Sequence, residues 1–130
     1  MKTPVLRIGR LCGDFDPVLR FYRDGLGLNI LAEFRKHAGF DGIVLGKHGA
    51  PYHLEFTRMS DASSGRVSIK DDLLVFYLPE PSAWLTAVQR MRAAGFAPVP
   101  SLNPYWEWEG VTFEDPEGNR VTLYNAFWDG

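Results

Sequence analysis

The sequence has few of the features that mark a disulfide-stapled, nucleic-acid-binding or membrane protein. Cys12 is the only cysteine, so neither an intrachain disulfide nor a multi-thiolate zinc site can form. Fourteen basic and sixteen acidic side chains give a net charge of −2 without a long run of either sign, which argues against a nucleic-acid partner. Apolar stretches such as Leu73–Leu78 are far shorter than the roughly 20 residues that cross a bilayer. We expect no membrane partner and, because a signal-peptide apolar run is lacking, a cytoplasmic protein.

The composition that remains is that of one compact domain. The 130 residues are 45% hydrophobic and 14% aromatic, the balance typical of a globular protein. A chain of this length buries roughly two thirds of the surface that it exposes when unfolded, so its core needs no metal or disulfide support. We predict a single domain over residues 1–130.

The first half of the chain is predicted to form one strand, one helix and three further strands. Apolar residues between Val5 and Leu11 indicate the opening strand. Asp14 and Asp16, just before Pro17, are typical of a helix start, and the helix is predicted to run from Pro17 to about Asp24. Gly25 and Gly27 end it, and short strands separated by turn residues follow at 28–34, 42–45 and 51–57.

The second half repeats this order after a polar linker at about 59–72. A strand is predicted at 73–78, a helix at 83–94 and further strands at 96–99, 110–114 and 120–126. Gly27 and Gly95, which end the two helices, lie 68 positions apart, and Glu55 and Thr122 in the two final strands lie 67 apart. This agreement indicates two duplicated modules, at about 1–58 and about 73–130.

Two short segments occupy characteristic places in these modules. Residues 21–28, at the end of the first helix, read FYRDGLGL, and residues 113–119, in the last hairpin, read FEDPEGN. The pair resembles signatures of the vicinal oxygen chelate superfamily, which includes glyoxalase I, extradiol dioxygenases and bleomycin resistance proteins. The resemblance implies an α+β fold in which two tandem βαβββ modules form a curved mixed sheet around a central ligand cavity. It also implies a homodimer.

Enzymes of this superfamily bind a divalent metal through up to four side chains, and the resemblance places these positions near Arg7, Glu55, Leu73 and Thr122. Glu55 is the one ordinary metal ligand among them. Arg7 carries a permanent cation, Leu73 offers no donor atom, and Thr122 has a weak neutral hydroxyl. We therefore predict no cofactor, and expect the metal site of the superfamily to be incomplete.

His53 keeps a second interpretation open. Because residues i and i+2 of a strand point to the same face, His53 and Glu55 should project together and could hold a divalent metal with one further carboxylate. The same two residues are the candidates for general acid or base catalysis. The alternative is a polar pair inside the cavity, with Arg7 neutralising Glu55 in place of a metal.

The segment 103–109 places three large aromatic rings, Tyr105, Trp106 and Trp108, in a turn-prone setting. Strand alternation would put both tryptophans on one face and the intervening glutamates on the other. These rings could stack on a flat apolar ligand, or could instead pack into the core or a dimer interface. The predicted ligand-binding set is Arg7, His53, Glu55, Tyr105, Trp106, Trp108 and Thr122.

Three functions are compatible with the sequence. The first is a metal-independent protein that binds a small, partly aromatic molecule without transforming it. The second is a lyase or dioxygenase whose altered metal site uses His53 and Glu55. The third is an interaction module whose cavity is vestigial. We favour the first because one superfamily metal position carries a ligand residue and no other catalytic motif is present.

Overall fold

A computed structural model describes residues 5–60 and 73–127. Of the predicted linker at 59–72, residues 61–72 lie outside this description. Within the described ranges, no helix combines the length and the apolar content that a membrane crossing requires.

The first module contains the predicted strand, helix and three strands. Its elements are β1 (Leu6–Leu11), α1 (Phe15–Leu19), which continues as a π-helical segment (Arg20–Gly25), β2 (Asn29–His37), β3 (Phe40–Gly46) and β4 (Tyr52–Met59). The strands form one sheet in the order β1-β4-β3-β2, with β1 parallel to β4 and the other pairs antiparallel. The first and last strands of this module, β1 and β4, are therefore neighbours in the sheet.

Local chemistry explains where the first helix begins and ends. The Asp14 carboxylate accepts a hydrogen bond from the Asp16 amide at 3.2 Å and caps the first turn. At the other end the Leu26 amide donates to the Phe21 carbonyl, five residues back, at 2.9 Å. Gly27 then adopts φ +79°, a conformation that glycine accepts without the steric cost of a side chain.

The second module has one regular strand fewer than predicted. Its elements are β5 (Leu73–Tyr77), α2 (Pro81–Ala93), β6 (Gly110–Glu114) and β7 (Arg120–Tyr124), with the sheet order β5-β7-β6. The strand predicted at 96–99 is wrong: it is reduced to one bridge between Val99 and Thr112. Pro98 and Pro100 flank Val99, and proline lacks the amide donor that a longer ladder needs.

The two modules share one core. Each sheet turns one face, here called its inner face, toward the helices, and side chains of both inner faces join the same buried cluster. That cluster includes Phe21 and Phe56 of the first module with Val88, Phe113 and Leu123 of the second. The architecture is therefore α+β with two sheet modules, as the sequence predicts.

Candidate functional site

The sequence-predicted site residues are distributed over the opposite face of each sheet, here called the outer face. Strand alternation sends Leu54 and Phe56 of β4 into the core and sends His53, Glu55 and Thr57 outward. In the second sheet, Thr122 and Tyr124 of β7 lie on the outer face for the same reason. The outer faces are thus where chemistry-bearing side chains gather.

Three polar side chains form a connected group on the outer face of the first sheet. Arg7 lies beside His53 in the parallel register of β1 and β4. Its Nη1 donates to Oε1 of Glu55 at 2.8 Å, and its Nε donates to Nδ1 of His53 at 3.1 Å. The pairing of Arg7 with Glu55 that the sequence suggests is therefore present, and the same guanidinium also engages His53.

This arrangement does not fit a divalent metal. A carboxylate oxygen and an imidazole nitrogen, the two best donor atoms of the set, both accept hydrogen bonds from a permanent cation. Within residues 5–60 and 73–127, no group of three or more histidine, cysteine, aspartate or glutamate side chains is arranged to hold a metal ion. The guanidinium thus engages the two donor atoms that a metal ion would need.

A cavity of about 290 Å³ adjoins this polar group. Apolar side chains of Leu11, Phe34 and Phe40 line it, and Glu55 and Thr57 contribute its polar edge. The rings of Phe34 and His37 meet edge to face, with centroids 5.9 Å apart. A small apolar molecule placed here would therefore contact the same carboxylate that Arg7 binds.

Thr122 lies where a ligand could not reach it in this conformation. Its side chain is fully buried, and its hydroxyl shares a 2.7 Å hydrogen bond with that of Thr112. The Thr112 hydroxyl is in turn 2.7 Å from that of Ser101. Leu73, the remaining superfamily position, pairs with Arg120 at the start of β5. The second module thus has a chain of hydroxyls at Thr122, a position that the resemblance assigns to a metal ligand.

The aromatic segment is helical, so the predicted alternation of its side chains is wrong. Pro104–Glu107 forms a 3₁₀ turn, with the Asn103 side chain accepting from the Tyr105 amide at 3.0 Å. A proline at the first helical position and an asparagine before it both favour this turn over a strand. The side chains therefore project around a helix axis.

The turn gathers the three predicted rings with Tyr124 of β7, which the sequence analysis missed. Tyr105 stacks on Tyr124 with centroids 5.8 Å apart and planes 18° from parallel, and Trp106 and Trp108 lie 4.9 and 5.2 Å from Tyr105. Burial raises the pKa of the Tyr124 phenol, and neighbouring Tyr105 adds to the shift. Trp108 remains 75% exposed. The rings form an accessible aromatic surface.

Apart from the buried Thr122, the predicted ligand-binding residues thus fall into two groups, one in each module. Arg7, His53 and Glu55 belong to the first, and Tyr105, Trp106 and Trp108 belong to the second. In the described part of the chain, no hydrogen bond or ring contact joins the groups. Phe34, Phe40 and Leu11 were missed because only the register of β1, β2 and β3 brings them beside Glu55.

Comparisons with known proteins give consistent matches. Models of the YycE-like N-terminal and C-terminal domains match residues 6–57 and 71–125. The uncharacterised protein YycE of Bacillus subtilis (strain 168) is 41% identical over 121 residues, which are 93% of this chain and 87% of that protein. A crystal structure of a YycE protein of unknown function from Bacillus subtilis has a TM-score of 0.87 and 39% identity, covering 98% and 93% of the two chains.

More distant structures share the fold. Glyoxalase I of Leishmania major has a TM-score of 0.71 at 19% identity, covering 96% of this chain and 88% of that one. The antibiotic-binding protein TnmS3 from Streptomyces sp. CB03234 has a TM-score of 0.65 at 20% identity, covering 95% of each chain. At this level of identity the likeness concerns the fold alone.

Proposed function

The chain belongs to the YycE-like family, within the superfamily of glyoxalase, bleomycin resistance and fosfomycin resistance proteins; from that membership we propose that it binds a small, partly aromatic molecule without a metal ion. The ligand lies on the outer faces of the sheets. It is held by the aromatic surface and by the polar group of Arg7, His53 and Glu55.

The observation that carries this proposal is the position of Arg7. Its guanidinium is within hydrogen-bond distance of both Glu55 and His53, so it neutralises the carboxylate that would otherwise attract a divalent cation. A lyase or dioxygenase that depends on a metal would have to displace this arginine first. Binding without metal chemistry needs no such rearrangement.

The chemistry of the ligand follows from what the outer faces expose. The rings of Tyr105 and Trp108 present accessible π-surfaces, which favour a flat aromatic body. Glu107 and Glu109 adjoin them in the sequence and favour a cation near the rings. An antibiotic-binding protein with the same fold supports a ligand of drug-like size.

We also propose that two copies of the chain complete the site. Exposed apolar side chains border both outer faces: Leu11, Phe40 and Met59 on the first sheet and Tyr105 and Trp108 on the second are 37–75% exposed. Exposed apolar side chains of this size favour burial against a second copy. In a symmetric dimer the outer face of the first sheet of one copy can meet the second sheet of the other and enclose a ligand between the two residue groups.

Native mass spectrometry of protein purified without chelator tests the metal and dimer claims together. We expect a dimer that carries no metal and that takes up none after incubation with Zn²⁺, Ni²⁺, Mn²⁺ or Fe²⁺. One metal ion per chain would contradict the proposal and would favour the enzyme interpretation, with His53 and Glu55 as ligands. A monomer would contradict the two-copy site.

Titration with proflavine, a flat aromatic cation, tests the ligand chemistry. We expect saturable quenching of tryptophan fluorescence, weakened about tenfold by Tyr105→Leu because a stacking surface is lost. Leu85→Ala, which changes an exposed apolar residue of α2, is the matched control and should leave the affinity unchanged. Absence of saturable quenching, or equal affinities for the two variants, would refute the aromatic surface as the binding wall.

A further inference from the structure

A second cleft lies on the inner side of the sheets, where the two modules meet. Its volume is about 430 Å³, within the range of small-molecule sites. Leu28 of the first module and Phe76 and Leu123 of the second form its apolar floor, and Ala83 and Ala87 of α2 form one wall. Neither residue group of the proposed site on the outer faces contributes to it.

The position of the cleft follows from strand alternation. Tyr52 and His53 are neighbours on β4, yet their side chains point to opposite faces of the first sheet. Tyr52 lines the inner cleft, and its ring lies 5.8 Å from that of Phe76 on β5. The cleft is therefore separated from the Arg7 group by the sheet itself.

The charged residues of this cleft are both cations. Lys47, from the turn between β3 and β4, and Arg90, from α2, line it, and none of the described residues that line it is a carboxylate. Across the described residues neither side chain forms an ion pair or a hydrogen bond. Two uncompensated positive charges beside an apolar floor favour an anionic group on an apolar body.

The backbone of the first module positions Arg90. A Cβ atom added at Gly27 would lie 2.7 Å from Nη1 of Arg90, so the guanidinium rests directly against the glycine turn that ends the first helix. Gly27 has φ +79°, and the same glycine that terminates the helix thus leaves room for the arginine. This contact holds the planar guanidinium of Arg90, which can donate two parallel hydrogen bonds, at the rim of the cleft.

Hydroxyl groups complete the polar rim. Thr86 of α2 and Tyr52 of β4 both line the cleft. Burial raises the pKa of the Tyr52 phenol, so the hydroxyl stays protonated and able to donate a hydrogen bond. Ser82 also lines the cleft, but its hydroxyl already donates to the Glu80 carboxylate at 2.7 Å.

We propose that this cleft is a second ligand site, which binds an amphipathic monocarboxylate: the carboxylate lies between Lys47 and Arg90, and the apolar body lies on Leu28, Phe76 and Leu123. A cleft of about 430 Å³ lies within the range of small-molecule sites. We take decanoate, a monocarboxylate with an apolar chain, as the ligand to test. Because both modules line the cleft, the ligand also bridges them.

Sodium decanoate below its micelle concentration is the direct probe of the site. Its binding is detected by nuclear magnetic resonance of the labelled protein. The indole N–H of Trp84 donates to the carbonyl of Leu123 at 2.9 Å, so its signal reports on the floor of the cleft. We expect saturable shifts of this signal and of the Thr86 and Ala87 methyl groups. Decyltrimethylammonium, which reverses the charge on the same chain, should bind at least tenfold more weakly, since about 1.4 kcal/mol separates affinities by that factor.

Matched variants separate the cleft from general apolar binding. Arg90→Gln and Lys47→Gln should each weaken decanoate about tenfold, because each removes one charge-assisted contact. Arg92→Gln makes the same change on the same helix outside the cleft and should leave the affinity within about twofold of the original. Ala87→Trp should abolish binding by filling the cleft, and its circular dichroism spectrum checks that the variant folds.

Three results would overturn the proposal. They are equal binding of decanoate and decyltrimethylammonium, equal affinities of Arg90→Gln and Arg92→Gln, and shifts confined to Tyr105 and Trp108. The last result would place decanoate on the outer face. Proflavine binding at that face is unaffected by all these outcomes, so the two sites can fail independently.

Discussion

At the scale of single residues, Arg7 decides which chemistry the first sheet can support. Its side chain is 49% exposed, so its ion pair with Glu55 lies at the solvent boundary and contributes about 0–1 kcal/mol to folding. The pair therefore matters less for stability than for function. It occupies donor atoms that a metal would use, so the kind of side chain at position 7 should affect metal affinity more than folding.

Replacing Arg7 by histidine should create metal binding. In Arg7→His the new imidazole would face His53 across the parallel register of β1 and β4, with Glu55 two residues further along β4. Three nitrogen and oxygen donors on one face are the minimum of a typical zinc site. Calorimetric titration with Zn²⁺ should show about one ion per chain for this variant.

Arg7→Gln is the control for that experiment. It removes the positive charge without adding a metal-binding nitrogen, and we expect no stoichiometric Zn²⁺ binding. If Arg7→Gln binds Zn²⁺ as well as Arg7→His does, then His53 and Glu55 alone suffice and the cation merely blocks an existing site.

Asp41 gives the structure a pH dependence of predictable sign. Its buried carboxylate accepts from the Lys36 amide at 2.9 Å, which lowers its pKa, and Ser60 and Arg58 act in the same direction against the effect of burial. A carboxyl with a lower pKa in the folded state binds fewer protons than in the unfolded chain. Its stabilising contribution is complete above about pH 4 and is lost as the pH falls through the folded-state pKa.

Thermal unfolding measured from about pH 5 to about pH 2 checks this expectation. The midpoint of the original protein should fall across that interval, and that of Asp41→Asn should fall less steeply because its amide does not titrate. Asp24→Asn, at an exposed ion pair, is the comparison variant. Identical slopes for Asp41→Asn and the original protein would contradict the assignment.

At the scale of elements, close packing of a ring on a glycine holds β2 against β3. Phe34 covers Gly42 so closely that a Cβ there would overlap the ring. Gly42→Ala should therefore reduce the free energy of unfolding in urea by about 1–3 kcal/mol through overpacking. The double variant with Phe34→Leu should recover much of the loss, because the smaller side chain can move away from the new methyl group.

Gly9→Ala is the matched control, since Gly9 is on the same outer face and a Cβ there would meet no atom within 4 Å. We expect its stability to be equal or slightly higher, because alanine restricts the unfolded chain. A loss of stability equal to that of Gly42→Ala would point to the backbone rather than to Phe34 as the cause.

The aromatic segment shows how tertiary contacts complete an element. Asn103 and Pro104 favour a turn by their own chemistry, but the packing of Tyr105 on Tyr124 depends on β7, which lies nearly twenty positions further along the chain. Sequence periodicity carries no information about that contact. The predicted strand alternation failed because the local residues favour a helical turn, and the partner ring of Tyr105 was missed because it comes from β7.

At the scale of the whole molecule, the modules are joined by a buried hydrogen bond between two side chains. The Tyr22 hydroxyl, at the end of the first helix, donates to the Asp115 carboxylate of the last hairpin at 2.7 Å. Asp115 also accepts from the amides of Glu117 and Asn119 at 2.8 Å, which fixes the hairpin turn. The two sequence signatures at 21–28 and 113–119 are therefore in direct contact.

Removing this hydroxyl should weaken the junction. We expect Tyr22→Phe to lower the free energy of unfolding by about 1.5–3 kcal/mol, the usual range for a hydrogen bond to a charged group. Urea denaturation, monitored by circular dichroism and by fluorescence, measures this free energy. Both signals should change in one transition because the modules share a core. Tyr105→Phe, at a 45% exposed ring, should change stability far less.

Much of the architecture could be predicted from the sequence because its signals are local. Helix caps, glycines at Gly27 and Gly95, and alternating apolar residues located both helices and all seven regular strands within a few residues. The strand at 96–99 failed because Pro98 and Pro100 remove amide donors. The strand register that brings Arg7 beside Glu55 and His53 is a property of the folded sheet, which local sequence patterns do not encode.

The sequence by itself determined the two-module fold, the family and the residue types available for chemistry, because short-range patterning and capping depend on neighbours along the chain. Tertiary structure alone decided that Arg7 also engages His53, that the Thr122 hydroxyl is buried beside that of Thr112, and that Lys47 and Arg90 line one apolar cleft. Each of these features depends on contacts between residues far apart in the sequence or on the burial of a side chain. Strand register and core packing fix such relations, and no local pattern records them.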